Sequence, residues 1–335
     1  MADSNDDADD PRIRVWFELE EMIDSGNIPT DKRRHHFVPV MYQRRFARDN
    51  RLATINLKSN PPTKGENSPL NIAVRRDLYR LDLAKPGFEN VNEEAWAKIE
   101  KAALFAFRNL DAAPHEMFDE IDRFNLSIFI ALQVQRGPDM LGAFASSFGT
   151  RMLEALAADQ SRLRRYYSPA AGMADAEIEA LQLEVAGVAK DPVMRARAVP
   201  EAITKAELSK RLLKGLARAA EGVMERHWQI LHTPIPLLSG DCPVVTAVDP
   251  ANDRPDFDSV DQFVFPLGRN IMLTMTRRDH GGSDMVALAH PDHVRAVNRQ
   301  ILSLADQWVF YHPDDNPLEG IDLAEIRRAS KSNPD

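Results

Sequence analysis

Arg51-Leu52-Ala53-Thr54-Ile55-Asn56-Leu57 is the stretch on which the reading of the fold turns. Leu52, Thr54 and Asn56 alternate with Ala53, Ile55 and Leu57, the two-residue period of a strand. The run lies ahead of a long helical region, and apart from a short run at Leu78 to Leu81 the further strand-like runs follow only after it. Either β part alone is too small to bury a sheet, so the early strand is expected to join the late ones.

Outward from this run, Asn60 to Pro69 reads as a Pro/Gly/Asn-rich loop. Leu70 to Leu83 reads as a turn followed by a strand through Leu78 to Leu81. The middle is helical. Asn90 with Glu93 resembles a capping box for a helix through Leu110, with Trp96, Ile99, Ala103 and Phe107 at helical spacing. A second helix is expected over about 115–136, ending before Gly137-Pro138, and a third over about 139–159. Arg162 to Met173 reads as loop, Asp175 to Ala189 as a weaker helix and Thr204 to Met224 as a strong one.

From Trp228 the pattern changes. Gln229 to His232, Val244 to Val248, Gln262 to Phe265, Ile271 to Thr276 and Met285 to Ala289 are short, β-rich and punctuated by Pro, Gly and Asp. Asp292 to Ala305 returns to helix, Trp308 to Tyr311 is a last strand, and Leu318 to Ala329 reads as a terminal helix. The expected fold class is α+β: a central helical bundle packed on a mostly antiparallel sheet built from N-terminal and C-terminal strands. Residues 1–10, with five aspartates, read as a disordered acidic leader, and 11–29 as a helix and linker. Residues 30–330 read as one intertwined domain, helical over about 90–226 and strand-rich over about 227–312.

The chain has 335 residues, 44% hydrophobic and 28% charged, as in a soluble globular protein. A net charge of −9 argues against attraction of the whole molecule to nucleic acid or anionic membrane, though a local basic patch is compatible with it. The single cysteine, Cys242, excludes an internal disulfide and fits a reducing compartment. No apolar stretch approaches the roughly 20 residues of a membrane span. The acidic N-terminus lacks signal-peptide character. The expected location is cytoplasmic.

Lys32 to Phe46 combines two adjacent histidines, a basic run and a helix-start proline. Pro39 suits the first helical position, and the residues before it should be extended. That would place His35 and His36 before a helix N-terminus, where anions are favoured. His36-Phe37-Val38-Pro39 followed by Tyr42, Arg44 and Phe46 resembles the opening signature of a bacterial family known only as domain of unknown function 4238. Arg76-Asp77-Leu78-Tyr79, Glu100, Arg136-Gly137-Pro138, Gly240-Asp241-Cys242-Pro243-Val244 and Phe265-Pro266-Leu267 fall in that family's order. The resemblance spans about Lys32 to His312. This chain departs from the pattern at Gln43, Gly137, Gly240 and Cys242. The resemblance implies a bacterial source and a fold, and no activity comes with it.

Each candidate residue has two readings. On an extended chain His35 and His36 point to opposite faces, so both cannot easily hold one ion. His36 is the better candidate for acid–base work or ligation; alternatively it bonds a backbone carbonyl and fixes the start of the helix. Asp241 either bonds its own turn or faces His36 as orienter or metal ligand. Glu100 is either an exposed partner of Lys98 and Lys101 or a member of a polar cleft. Arg136 either complements its helix dipole or clamps an anion. Between Asp31 and Arg51, seven Lys/Arg face two acids, suiting a phosphate or a solvated surface. Cys242 is a weak nucleophile candidate. His290 and His293 complete no zinc spacing.

No P-loop, G-x-G-x-x-G, H-E-x-x-H, C-x-x-C or G-x-S-x-G occurs, so no nucleotide cofactor is expected. Two functions stand side by side. One is a hydrolase or nuclease-like enzyme on a phosphate-containing substrate, with catalytic His36 and Asp241. There His35, Arg44, Arg76 and Arg136 bind substrate, and a divalent metal would be held by His36, Asp241 or Glu100. The other is a non-catalytic interaction or regulatory protein whose landmark residues are structural. Nucleic acid remains open as a partner, membrane is not expected, and the oligomeric state is not legible.

Overall fold

The structure, a computed structural model, describes residues 33–76, 78, 91–136, 153–166, 172–191, 205–248, 257 and 259–323. The expected leader, N-terminal helix and Asn90 cap lie outside them, as do most of the helix at 139–159, most of the strand at 78–81 and residues 324–329 of the terminal helix, whose expected start at 318–320 is a turn. The chain divides into two compact units: residues 1–137 with 214–335, and residues 138–213.

In the first unit, β1 (Arg34–His36) is extended, and the chain bends at Phe37 and Val38 before Pro39. Pro39 is the N-cap and not the first helical residue; its ψ of 138° is extended, and α1 is only Val40–Gln43, continued by a 3-10 turn over Arg44–Phe46. So short a helix sums few peptide dipoles, and the anion site expected at its N-terminus loses its basis. β2 (Leu52–Asn56) occupies the strand-like run. Its neighbour β3 (Thr63–Asn67) was expected as loop. Thr-Lys-Gly-Glu-Asn has no apolar alternation because this edge strand buries no face, and pairing with β2 alone makes it a strand. β4 (Val74–Arg76) pairs with β1.

α2 (Val91–Ala112) and α3 (Glu120–Arg136) form an antiparallel pair. Arg136 meets Glu100 at one end, and Asn109 Nδ2 donates to Asp122 Oδ2 at 2.7 Å at the other. α3 begins later than its apolar pattern because Asp119 accepts from Asp122 N at 2.8 Å.

The late strands form two sheets and not one. β10 (Met285–Leu288), β5 (His227–His232), β9 (Ile271–Thr276), β8 (Gln262–Gly268) and β7 (Val245–Ala247) lie in that order, antiparallel except for β10 beside β5. The other sheet runs β3, β2, β11 (Trp308–Tyr311), β6 (Ser239–Gly240), so early and late strands pair directly. Gly240 permits the close approach of β6: a Cβ there would come to 3.0 Å from Trp308 O. α7 (Pro291–Leu304) turns Val294, Val297, Ile301 and Leu302 inward. On it, buried Asn298 accepts from Leu238 N (2.9 Å) and donates to Pro236 O (3.1 Å).

Tyr42 joins these parts. Its ring lies 5.0 Å from Phe265 of β8, 6.4 Å from Phe107 of α2 and Phe129 of α3, and 6.5 Å from Phe310 of β11. Burying each such ring contributes about 2 kcal/mol. Its hydroxyl lies 2.8 Å from Ser239 Oγ and donates to Pro266 O at 2.8 Å. The register shift between Pro266 and Gly268 leaves carbonyls available to side chains: Pro266 O to Tyr42, Leu267 O to Arg45.

In the second unit, α4 (Gln160–Tyr166) stands where a loop was expected. Asp159 caps it, accepting from Ser161 N at 2.9 Å and Arg162 N at 3.3 Å, a start signal that outweighs the weak apolar pattern. α5 (Asp175–Lys190) packs Ile178 with Leu156 and Leu163. α6 (Lys205–Met224) ends in the first unit.

Candidate active site at the end of the helical pair

β1 separates the two histidines as extended geometry demands. His35 is fully buried, whereas His36 is half-exposed. His36 Nε2 lies 3.2 Å from Leu70 O. A carbonyl only accepts, so Nε2 carries the hydrogen and Nδ1 of the neutral ring keeps its lone pair. Burial, with Arg34 and Arg136 adding to it, holds the imidazole below its ordinary 6.5; the Leu70 bond and Glu100 oppose this.

Arg136 is the other half of the site. The last residue of α3, it is 1% exposed, with Nη1 2.5 Å from Glu100 Oε1 and Nη2 3.7 Å from Glu93 Oε2. Its guanidinium also lies 5.1 Å over the Trp96 ring. Glu93, Trp96 and Glu100 recur at helical spacing on α2 and so face one way. Gln133, one turn before Arg136, is 5% exposed, and among the described residues neither amide atom has a hydrogen-bond partner. Arg136, Glu100 and Glu93 form one charged cluster, with Gln133 a turn before Arg136, and the charges of Arg136 and Glu100 reach His36. From sequence Glu93 reads only as a capping-box partner, because the antiparallel helix pairing is what brings it to Arg136; Gln133 carries no local signal of its role.

The Asp241 carboxylate is bonded to backbone. Its Oδ1 accepts from Asp306 N at 3.0 Å, and its Oδ2 from Gln307 N at 2.7 Å and Trp308 N at 2.8 Å. It closes the turn between α7 and β11, not its own turn. Burial pushes its carboxyl up, against the pull of those three donors. Among the described residues no three His, Cys, Asp or Glu side chains are placed to hold a metal ion, so the metal site expected of His36, Asp241 and Glu100 has no ligand set there.

Arg44 donates to Asn50 Oδ1 at 3.2 Å, within its own loop. Arg76 stands opposite Arg34 in the β1–β4 register, on the face that also carries His36. His290 caps α7, 3.3 Å from Asp292 N. Among the described residues no helix is long and apolar enough to cross a membrane.

A mixed α+β protein with a buried arginine–carboxylate cluster beside a neutral histidine is the class that these features define. The sequence profile of a family of proteins of unknown function, DUF4238, matches residues 34–315, and the chain belongs to that family. No curated protein and no solved structure matches it.

The depressed imidazole has a consequence for stability. The unfolded chain takes up the His36 proton first as pH falls, so this contribution is present above 6.5 and lost as pH drops through the folded value. Urea midpoints across that window should fall more steeply for the wild type than for His36→Gln. Parallel curves would exclude a depressed imidazole.

Proposed function

We propose that the chain is a hydrolase acting on a phosphate-containing substrate at His36, Glu100 and Arg136. The observation that carries this reading is a half-exposed imidazole kept neutral beside a buried arginine that two carboxylates hold. Charged groups are seldom kept in so costly a place without a task, and perturbed groups gather at sites of chemistry. In this reading His36 Nδ1 takes a proton from water as the water oxygen attacks phosphorus, and the leaving oxygen departs with its electron pair. Glu100 and the buried Arg136 form the charged wall of the site, and the exposed Arg34 and Arg76 draw the phosphate oxygens. A cytoplasmic location accompanies this reading.

A phosphomonoester and phosphodiester panel with the wild type, His36→Gln and Arg136→Lys tests it. His36→Gln should lose about a hundredfold or more in kcat with its melting temperature nearly kept. Activity unchanged by the substitution would exclude the site.

The rival reading, a non-catalytic interaction or regulatory protein, draws on Asp241 and Tyr42, landmark residues whose polar atoms are spent on internal bonds. It gains if no phosphoester in the panel turns over.

A further inference from the structure

A polar cavity opens at the other end of α2. Asp111 lies 111 − 100 = 11 residues beyond Glu100, about 16 Å along the helix axis, so this cavity is distinct from the His36 centre. Its volume is about 420 Å³, within the range of small-molecule sites. Arg45, Asp111, His232, Arg269 and Asn270 are among its polar lining, Leu110, Pro114 and Ile271 among the apolar.

The charges there are fixed by internal pairing but not exhausted. Arg45 lies 4.6 Å over the Phe107 ring, bonds Leu267 O, and grips Asp111 with a fork of 2.6 and 2.9 Å. Asp111 is nevertheless 60% exposed, and the fork takes one lone pair from each oxygen, leaving the others open. Arg269 is gripped by Asp315 at 2.6 and 2.7 Å through Nε and Nη2. That uses two of the five N–H donors of a guanidinium that is 42% exposed, and the Nη1 edge is left over. His232 Nε2 donates to Pro114 O at 2.8 Å, so its Nδ1 is an acceptor on the same lining.

A pure anion would meet the Asp111 carboxylate, and a pure cation the two guanidinium groups. A molecule carrying both charges satisfies both walls. We propose that this cavity binds a small zwitterion of the α-amino acid class, its carboxylate on the Arg269 edge and its ammonium on Asp111 and His232 Nδ1. An aliphatic side chain then covers Leu110, Pro114 and Ile271.

Isothermal titration of the full chain with L-leucine, N-acetyl-L-leucine and L-leucine methyl ester tests this without any substitution. Leucine should bind saturably, and each analogue, lacking one charge, at least about tenfold more weakly. Arg269→Gln should weaken leucine and N-acetyl-leucine but spare the ester, and Asp111→Asn should weaken leucine and the ester but spare N-acetyl-leucine. No saturable heat with leucine, or equal affinity for leucine and either analogue, would overturn the proposal. The wild-type series decides the matter even where a variant fails to fold.

Discussion

Arg136→Met is expected to lower the unfolding free energy by about 3 kcal/mol, the cost of leaving buried charge without its partner. The methionine fills similar volume against Trp96, so the loss reports on charge more than on a cavity. Glu100 and Glu93 keep 23% and 15% of their side-chain surface in water, which relieves part of the penalty and sets the estimate at the lower end of the range. Adding Glu100→Gln should recover part of the loss, with a coupling of about 1 kcal/mol or more in a double-mutant cycle. Arg136→Lys should fall between, since an ammonium keeps the charge but not the fork or the stacking. Urea unfolding measures all of these. A loss below about 1 kcal/mol for Arg136→Met would mean that the cluster behaves as a solvent-screened surface pair.

Asp241→Ala should cost a similar amount, about 3 kcal/mol, for a different reason. Three backbone N–H groups at Asp306, Gln307 and Trp308 lose their acceptor together, in a turn that the folded chain partly shields from water. Asp241→Asn keeps one oxygen and should lose about half as much. The sharper readout is hydrogen exchange: amides 306–308 should exchange faster in Asp241→Ala while those of β9 stay protected. Unchanged protection at 306–308 would refute the turn-closing role. This variant should leave any chemistry at His36 intact once the protein is folded, which is the opposite of the pairing expected from sequence.

The sequence by itself determined the α+β class, the long helices α2, α3 and α6 and the strands β2, β5, β8, β9 and β11. In each of these, local periodicity and tertiary burial agree. It also determined that His35 and His36 part company, because alternation along an extended chain is a local property. Tertiary structure alone decided that Thr63–Asn67 is a strand, since an edge strand with no buried face has no pattern to read. It alone chose the partners of the polar landmarks: Glu100 for Arg136, the 306–308 backbone for Asp241, Asp111 for Arg45. A charged side chain carries no periodic signature of its partner. Which opposite charge it meets depends on how helices and sheets pack across tens or hundreds of residues, and only the assembled core fixes that.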